Sequence, residues 1–586
     1  MRIGKYWLLT VLLFGCLSGI RAQRADSVRW AGQAQLRGAA DFGHASDLSL
    51  SMGVRRETPR LSVSLDLSGN RTRSLRAKEV TYSSENIKYG HKENARSESR
   101  ASGENLRIGL RYVPRSSDVF RLDFSQSYTR SDRCDTLYSQ KIGAEGGQAV
   151  LLAEGSSFEA ADRLQQTYRC DASYAHRIDA SRHSFHAELS FRDNVSSQTD
   201  IRMLAGSLYT PQTYRIAPDY ENRTSRLNMY YRDAAFLDIA SLDFFAGLDL
   251  QWGMSNDRYA GATLVDGAWR DSLLLKQKYL YRQATAEPYA AATYHYRIFD
   301  FSLEERFQYY NHRLWSNLNG WDWDQSDLFH AARAAVKCTP SERHRLQLDM
   351  ERSLSRPNYL MLSGLLRSGS SPDVYYIGNA GLQPTKIYRL DLQYQSDVRQ
   401  WRYGIQMGYR LMQNVAEQVL FTGQEKLPVH LRETLENAVV YSWLNTAYKE
   451  NYHLKLSVRW KGGDCEVNAW SVLNCDANRY ASSSATDFNC TLGCDASWRF
   501  RENWKLSLRN SFDSRRREVY THTSAYLSSA LRVDYEWKKL LCYAAIDELF
   551  DRPIERTTFS ENFDYRRTER TRYYRRLLAL GVQCRF

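Results

Sequence analysis

The sequence predicts an all-β fold: an antiparallel transmembrane β-barrel of about 22 strands with long extracellular loops and short periplasmic turns. Three observations predict it. The chain is rich in aromatics, with 39 Tyr, 22 Phe and 14 Trp among 586 residues, yet carries only 11 Pro. Its mean hydropathy is −0.58, and the one long apolar run, Trp7 to Gly15, is at the N-terminus. Apolar residues elsewhere recur at every second position in short stretches. A barrel strand shows one face to lipid and keeps the other polar, so average hydropathy stays low. Closure also pairs every backbone group between strands, which hydrocarbon requires. The expected location is the cell outer membrane.

The N-terminal run follows Arg2 and Lys5 and leads to Ile20-Arg21-Ala22-Gln23. A basic start, a short apolar core and a small residue before the cut predict a secretory signal over residues 1–22. The barrel is then expected over 23–586, with no plug domain before its first strand. An alternative cut before Cys16, in Leu13-Phe14-Gly15-Cys16, would add a lipid anchor; bulky Phe14 argues against it.

Strands follow from the alternation in order. An opening strand holds Val28, Trp30, Ala34 and Leu36. Hairpins are then expected at Leu48–Val54/Leu61–Leu67, Leu106–Tyr112/Phe120–Phe124, Tyr168–Tyr174/Phe185–Phe191 and Leu227–Tyr231/Leu242–Trp252. They continue at Tyr289–Tyr296/Phe301–Phe307, Ala332–Cys338/Leu346–Met350 and Tyr388–Tyr394/Trp401–Tyr409. A hairpin turning at Lys449-Glu450-Asn451 into Tyr452–Trp460 is expected next, then Cys490–Phe500/Trp504–Leu508 and Leu531–Trp537/Leu540–Ile546. The closing strand places Leu578, Leu580, Val582, Cys584 and Phe586 on one face. Polar segments such as Asn70–Asn105, Arg130–Leu164, Asp193–Arg226, Asn256–Arg282, Arg356–Gln383, Asp476–Asn489 and Pro553–Arg572 are expected as external loops. An even strand count leaves both termini periplasmic. Trp401, Trp460, Trp498, Trp504 and Trp537 flank the short turns, where an interfacial girdle belongs.

Cys170, Cys490, Cys494 and Cys584 fall in phase with apolar neighbours and are expected as small lipid-facing hydrophobes. Cys490 and Cys494 are roughly 13 Å apart along one strand, too far to bridge. Cys475 could instead pair with Cys490 across a loop base. No spacing suits a metal, and no cofactor is expected. There is no nucleotide loop, His-Glu-x-x-His helix or Gly-x-Ser-x-Gly elbow, so no enzyme activity is expected. His91, His183, His295 and His344 are expected as solvated residues in loops, turns or strand ends. The net charge of +13 would suit a receptor for anionic ligands. The favoured reading is that Arg-rich external loops and lumen faces, such as Arg515-Arg516-Arg517 and Arg566-Arg567, meet lipopolysaccharide phosphates. Arg389, Asp391 and Arg402 are expected on the inner face, paired with one another or holding water. Nucleic acid is not an expected partner.

A closing strand that ends in Phe resembles the signal read by the outer-membrane barrel assembly machinery. Arg356-Pro357-Asn358-Tyr359-Leu360-Met361-Leu362 resembles the "RPsYxxL" stretch of TonB-dependent receptor barrels. Gly378-Asn379-Ala380-Gly381-Leu382-Gln383-Pro384 resembles their "GNPxLxPE" signature, with Ala380 for Pro and Thr385 for Glu. Ile546-Asp547-Glu548-Leu549-Phe550-Asp551 resembles their "vxDLFN" element, through Asp547, Leu549 and Phe550. The chain is thus similar to the TonB-dependent-receptor-like outer-membrane barrels of Bacteroidetes, most securely from Ala332 onward. The resemblance implies a receptor-type barrel used in uptake. A non-transport surface protein displaying its loops for adhesion or assembly is the other reading. Expected partners are outer-membrane lipids, the assembly machinery, and a separate plug or periplasmic polypeptide.

Overall fold

The computed structural model describes residues 29–585, apart from 421–438 and short stretches of two to five residues between elements. The expected signal segment, Cys16 and Phe586 lie outside the described residues. Among the described residues, twenty-nine strands join one sheet; 22 form a closed antiparallel barrel, and the others are short pieces in the extracellular connections. Closure joins Arg29–Asp41 to Leu577–Arg585, in register from Gln33 opposite Arg585 to Ala40 opposite Leu578. No strand edge of the wall is left for lipid to face, as a membrane barrel requires. No helix among the described residues is long and apolar enough to cross a membrane.

One end carries tight turns. Several have two residues, the first in the left-handed region: Arg297 (φ 51°), Arg399 (φ 53°), Gly463 (φ 55°) and Lys538 (φ 54°). Such turns match the twist of the strands they join. Around this end, Trp401 and Trp460 rings lie 6.2 Å apart and Trp504 and Tyr535 4.7 Å apart. Lys538 Nζ sits 5.6 Å from the Trp537 ring centre. The expected aromatic girdle is therefore present, with Trp498 and Phe500 adding to it. Above it, Leu48, Leu50, Leu110, Leu122, Leu303, Met407, Leu492, Leu578, Leu580 and Val582 project from the outer surface, where lipid covers them.

Two expectations need correction. The proposed turn at Lys449-Glu450-Asn451 does not exist; Val439–Gly462 is one continuous strand. The chain turns at Gly463-Asp464 into Cys465–Tyr480, a strand the alternation did not reveal. Midway along it two successive outward positions hold small residues, Ala469 and Ser471, across from Val458 and Leu456, while bulky Trp470 faces inward over Gly493. The apolar period is thereby blurred. One strand wrongly split and one missed offset each other, so the total of 22 came out unchanged.

The second correction concerns the polar segments. Asn70–Asn105 and Arg130–Leu164 are mostly strand, within Leu61–Ser84/Tyr89–Tyr112 and Asp118–Glu145/Gln148–Arg177. Asp193–Arg226 and Asp476–Asn489 are strand over most of their length, and Pro553–Arg572 holds the hairpin Ile554–Ser560/Tyr565–Tyr573. Asn256–Arg282 continues as strand to Val265 and resumes at Gln277. A strand of 30 residues runs roughly 100 Å, against a hydrocarbon core about 30 Å thick. Past the bilayer both faces are wet, so polar residues occupy both and the alternation fades while backbone pairing continues.

The nine described cysteines are free thiols. The register sets Cys475 opposite Phe488 and Cys490 opposite Leu473, on the outer face, so the alternative Cys475–Cys490 pairing is not formed. Three of the four histidines read as solvated have partners: His183 meets Asp233, His295 Nδ1 meets Asp300 at 2.7 Å, and His344 Nδ1 meets Tyr394 Oη at 2.9 Å. Strand register sets His295 directly opposite Asp300 and His344 diagonal to Tyr394. The side chain of His91 lies outside the described residues.

Candidate functional site: the inner wall and a loop docked on it

The connection from Ser355 to Thr385 starts where Pro357, lacking an N–H, cannot extend the ladder. Asn358 caps a single helical turn, Tyr359–Leu362, its side chain accepting from Met361 N at 2.9 Å. The chain comes back at Val374–Tyr376, which pairs in parallel with Val439–Tyr441. The two arms then meet: Gly378 N donates to Ser363 O at 2.7 Å and Asn379 N to Met361 O at 2.7 Å. A Cβ on Gly378 would stand 2.2 Å from Ser363 O, so only glycine permits this approach.

Side-chain amides fasten the loop to the wall. Asn379 donates to Trp443 O at 2.9 Å and accepts from Gly381 N at 2.9 Å. Asn445 accepts from Gln383 N at 2.6 Å and donates to Gln383 O at 2.9 Å and Asn414 O at 2.7 Å. Asn414 adopts φ 57° at a bulge between Met412 and Val415, which opens the ladder where the loop lands. Leu362 and Leu382 bury against Tyr279, Tyr281 and Leu314, with Met361, Ala380 and Trp443 packed alongside. Tyr279, Tyr281 and Leu314 alternate with outward residues and so belong to the inner face. The loop therefore folds into the mouth of the barrel.

Arg356 anchors its start. The guanidinium lies 4.2 Å from the Tyr310 ring centre, a cation–π contact, and 4.0 Å from Glu287. Tyr310 and Tyr281 share a hydroxyl hydrogen bond of 2.6 Å. The structure thus joins Arg356, Gly378, Asn379 and Leu382 in one docked unit, next to Pro357 and Pro384. Asp547, Leu549 and Phe550 lie seven wall strands away and form a separate strand stop. There Glu548 turns inward at φ 53° and accepts from Tyr526 Oη at 2.6 Å and Ser528 Oγ at 2.9 Å.

Below the loop, the inner wall is lined with ion pairs. Arg226 Nε donates to Asp249 at 2.9 Å, Arg333 Nη2 to Asp349 at 3.0 Å and Arg532 Nε to Asp534 at 2.7 Å. Arg389 Nε meets Asp391 at 3.2 Å, as the sequence suggested, and His453 Nε2 also meets Asp391 at 3.2 Å. Arg402 is not part of this set; it binds Asp397 near the periplasmic turn. Sequence reasoning missed Tyr281, Tyr310, Glu287 and Asn445. Tyr279 and Tyr281 carried a usable signal, being bulky on the polar phase of their strand. Among the described residues, no cluster of His, Cys, Asp and Glu could hold a metal ion.

The profile of the outer membrane protein beta-barrel family matches residues 176–583. The chain belongs to that family. No curated protein matches it in sequence. Among solved structures it is similar to the ferric citrate transporter FecA in the unliganded form, with TM-score 0.64 and 11% identity over 95% of this chain and 78% of that one. The copper transporter OprC gives 0.64 and 11%, covering 96% and 83%. The ferripyoverdine receptor of Pseudomonas aeruginosa gives 0.64 and 10%, covering 95% and 72%. At such identities the likeness is one of fold alone: this is an outer-membrane β-barrel.

Proposed function

We propose that this family member is an uptake barrel, passing a solute across the outer membrane through a lumen restricted by its own Arg356–Pro384 loop. The docked loop is the observation that carries the reading. A barrel of 22 strands is wide enough to leak unless something fills it, and this loop is built into the mouth rather than displayed above it. Its Gly378 crossing, Asn445 clamp and Arg356 anchor are inward devices of no use to a display loop. The three similar structures are two transporters and a receptor, which supports the same direction. No catalytic role is part of this reading. A separate plug polypeptide entering from the periplasm would complete the closure, the last strand would be the element read by the assembly machinery, and exposed Arg515, Arg516 and Arg517 would meet lipopolysaccharide phosphates.

Surface display is favoured by one feature, the long β-extensions of residues 61–265. Planar-bilayer recording separates the two. The uptake reading expects low or intermittent current from the natural chain and a clear rise for Gly378→Val, which cannot keep the loop docked. Silence from both proteins, each verified as folded by heat-dependent gel mobility, would favour display.

A further inference from the structure

We infer that the lumen is selective for anionic solutes, because its charge pairs are arranged with the cation toward the channel and the carboxylate against the wall. The inference names the solute class for the uptake reading above and rests on it for biological meaning. Arg226, Arg333 and Arg389 alternate with outward residues and face the lumen at mid-wall. Side-chain exposure is 54% for Arg226 against 11% for Asp249, 54% for Arg333 against 10% for Asp349, and 49% for Arg389 against 7% for Asp391. The same order holds for the inward pairs Arg107–Asp123, Arg169–Asp171, Arg509–Asp495 and Arg532–Asp534; Arg37–Asp547, at the extracellular end of its strands, is the exception at 37% against 45%.

Side-chain length is the cause. An aspartate carboxylate ends close to the backbone, while a guanidinium on a three-carbon stem reaches past it. Each pair is neutral in sum, but its dipole points its positive end at the lumen. A ring of such dipoles inside low-dielectric walls concentrates small anions and repels cations. A guanidinium also presents several donors in a plane, matching carboxylate or phosphate groups.

The full chain in planar bilayers under a KCl gradient should show a chloride-to-potassium permeability ratio of roughly 2 or more. The triple replacement Arg226→Gln, Arg333→Gln, Arg389→Gln removes the guanidinium from in front of three carboxylates and should take the ratio below about 1. The companion triple Asp249→Asn, Asp349→Asn, Asp391→Asn should raise it. These opposite directions would not come from loosened structure, and heat-dependent gel mobility verifies folding. A ratio indifferent to both triples overturns the inference. If no current flows through either the chain or Gly378→Val, the uptake reading fails by itself, and a second measurement still decides this one. Trp470 faces the lumen over Gly493, so the difference in fluorescence between the chain and Trp470→Phe reports ion access. Normalised to each ion's quenching of free tryptophan amide, iodide should quench that signal about twofold more than caesium; equal normalised quenching, or more by caesium, overturns the inference.

Discussion

The two sides of this barrel are built to different heights. Strands from Leu61 to Val265 run 23 to 30 residues each. Those flanking the closure, Trp504–Asp513, Tyr526–Trp537, Leu540–Asp547, Leu577–Arg585, Arg29–Asp41 and Ala45–Glu57, run 8 to 13. Both sides nonetheless carry outward apolar bands of similar height, as Leu106–Leu110 and Leu578–Val582 illustrate. Membrane thickness therefore sets the length of the apolar pattern, and something else sets the length of the strand. Above the low side the sheet is rebuilt from loops: Tyr565–Tyr573 pairs with Arg76–Ser84, and Thr521–Thr523 pairs with Arg556–Thr558. The tall strands would otherwise present an open edge to water and to other chains.

The largest effect expected from this difference is on the low side. Leu580→Arg places a charge against lipid halfway along the last strand and should cost about 2–4 kcal/mol, measured by urea titration in vesicles. If it is tolerated, the apolar band does not mark the bilayer. The arc between the two sides is held to the loop through Asn445, and Asn445→Ala should cost about 1–3 kcal/mol for the unpaired backbone groups it leaves. The readout is faster proteolysis within Arg356–Pro384, with the barrel itself still resistant to heat. Met203→Lys, also outward but high on the tall side, should change stability by no more than about 0.5 kcal/mol. A loss as large as that of Leu580→Arg would mean the tall strands are lipid-covered after all.

The smallest effect concerns pH. In the tall extension, Glu98 lies below its ordinary carboxylate range because Arg100 and Arg73 hydrogen-bond it at 3.0 and 2.9 Å. A depressed folded-state pKa contributes stability above the unfolded value of 4.5 and loses it as pH falls through the lower folded value. Hydrogen exchange around Ser97–Ser99 should quicken slightly, beyond intrinsic rates, between pH 5 and about 3. Glu98→Gln should erase that added change; if it persists, the Arg73–Glu98–Arg100 cluster is not its source.

Legibility followed the same physical line. The girdle tryptophans, the outward cysteines and most periplasmic turns were readable, because a bilayer imposes a period of two on every strand it covers. Cys465–Tyr480 escaped because Trp470 and Val472 occupy its inner face while Ala469 and Ser471 face lipid, which erases the contrast. The docked loop was readable only as a motif. Its wall partners, Tyr310, Glu287, Asn414 and Asn445, come from strands scattered between residues 277 and 462.

By itself, then, the sequence determined that this is a closed membrane barrel, roughly how many strands it has and which end bears the turns, since each depends on local alternation and turn chemistry. Only the tertiary structure decided that the polar stretches continue as strands beyond the bilayer, that the Arg356–Pro384 loop folds inward, and that guanidiniums rather than carboxylates front the lumen. The reason is physical: outside hydrocarbon no solvent contrast marks the backbone. Which polar side chain lies against the wall is settled by its cross-strand partner, not by its neighbours in the chain.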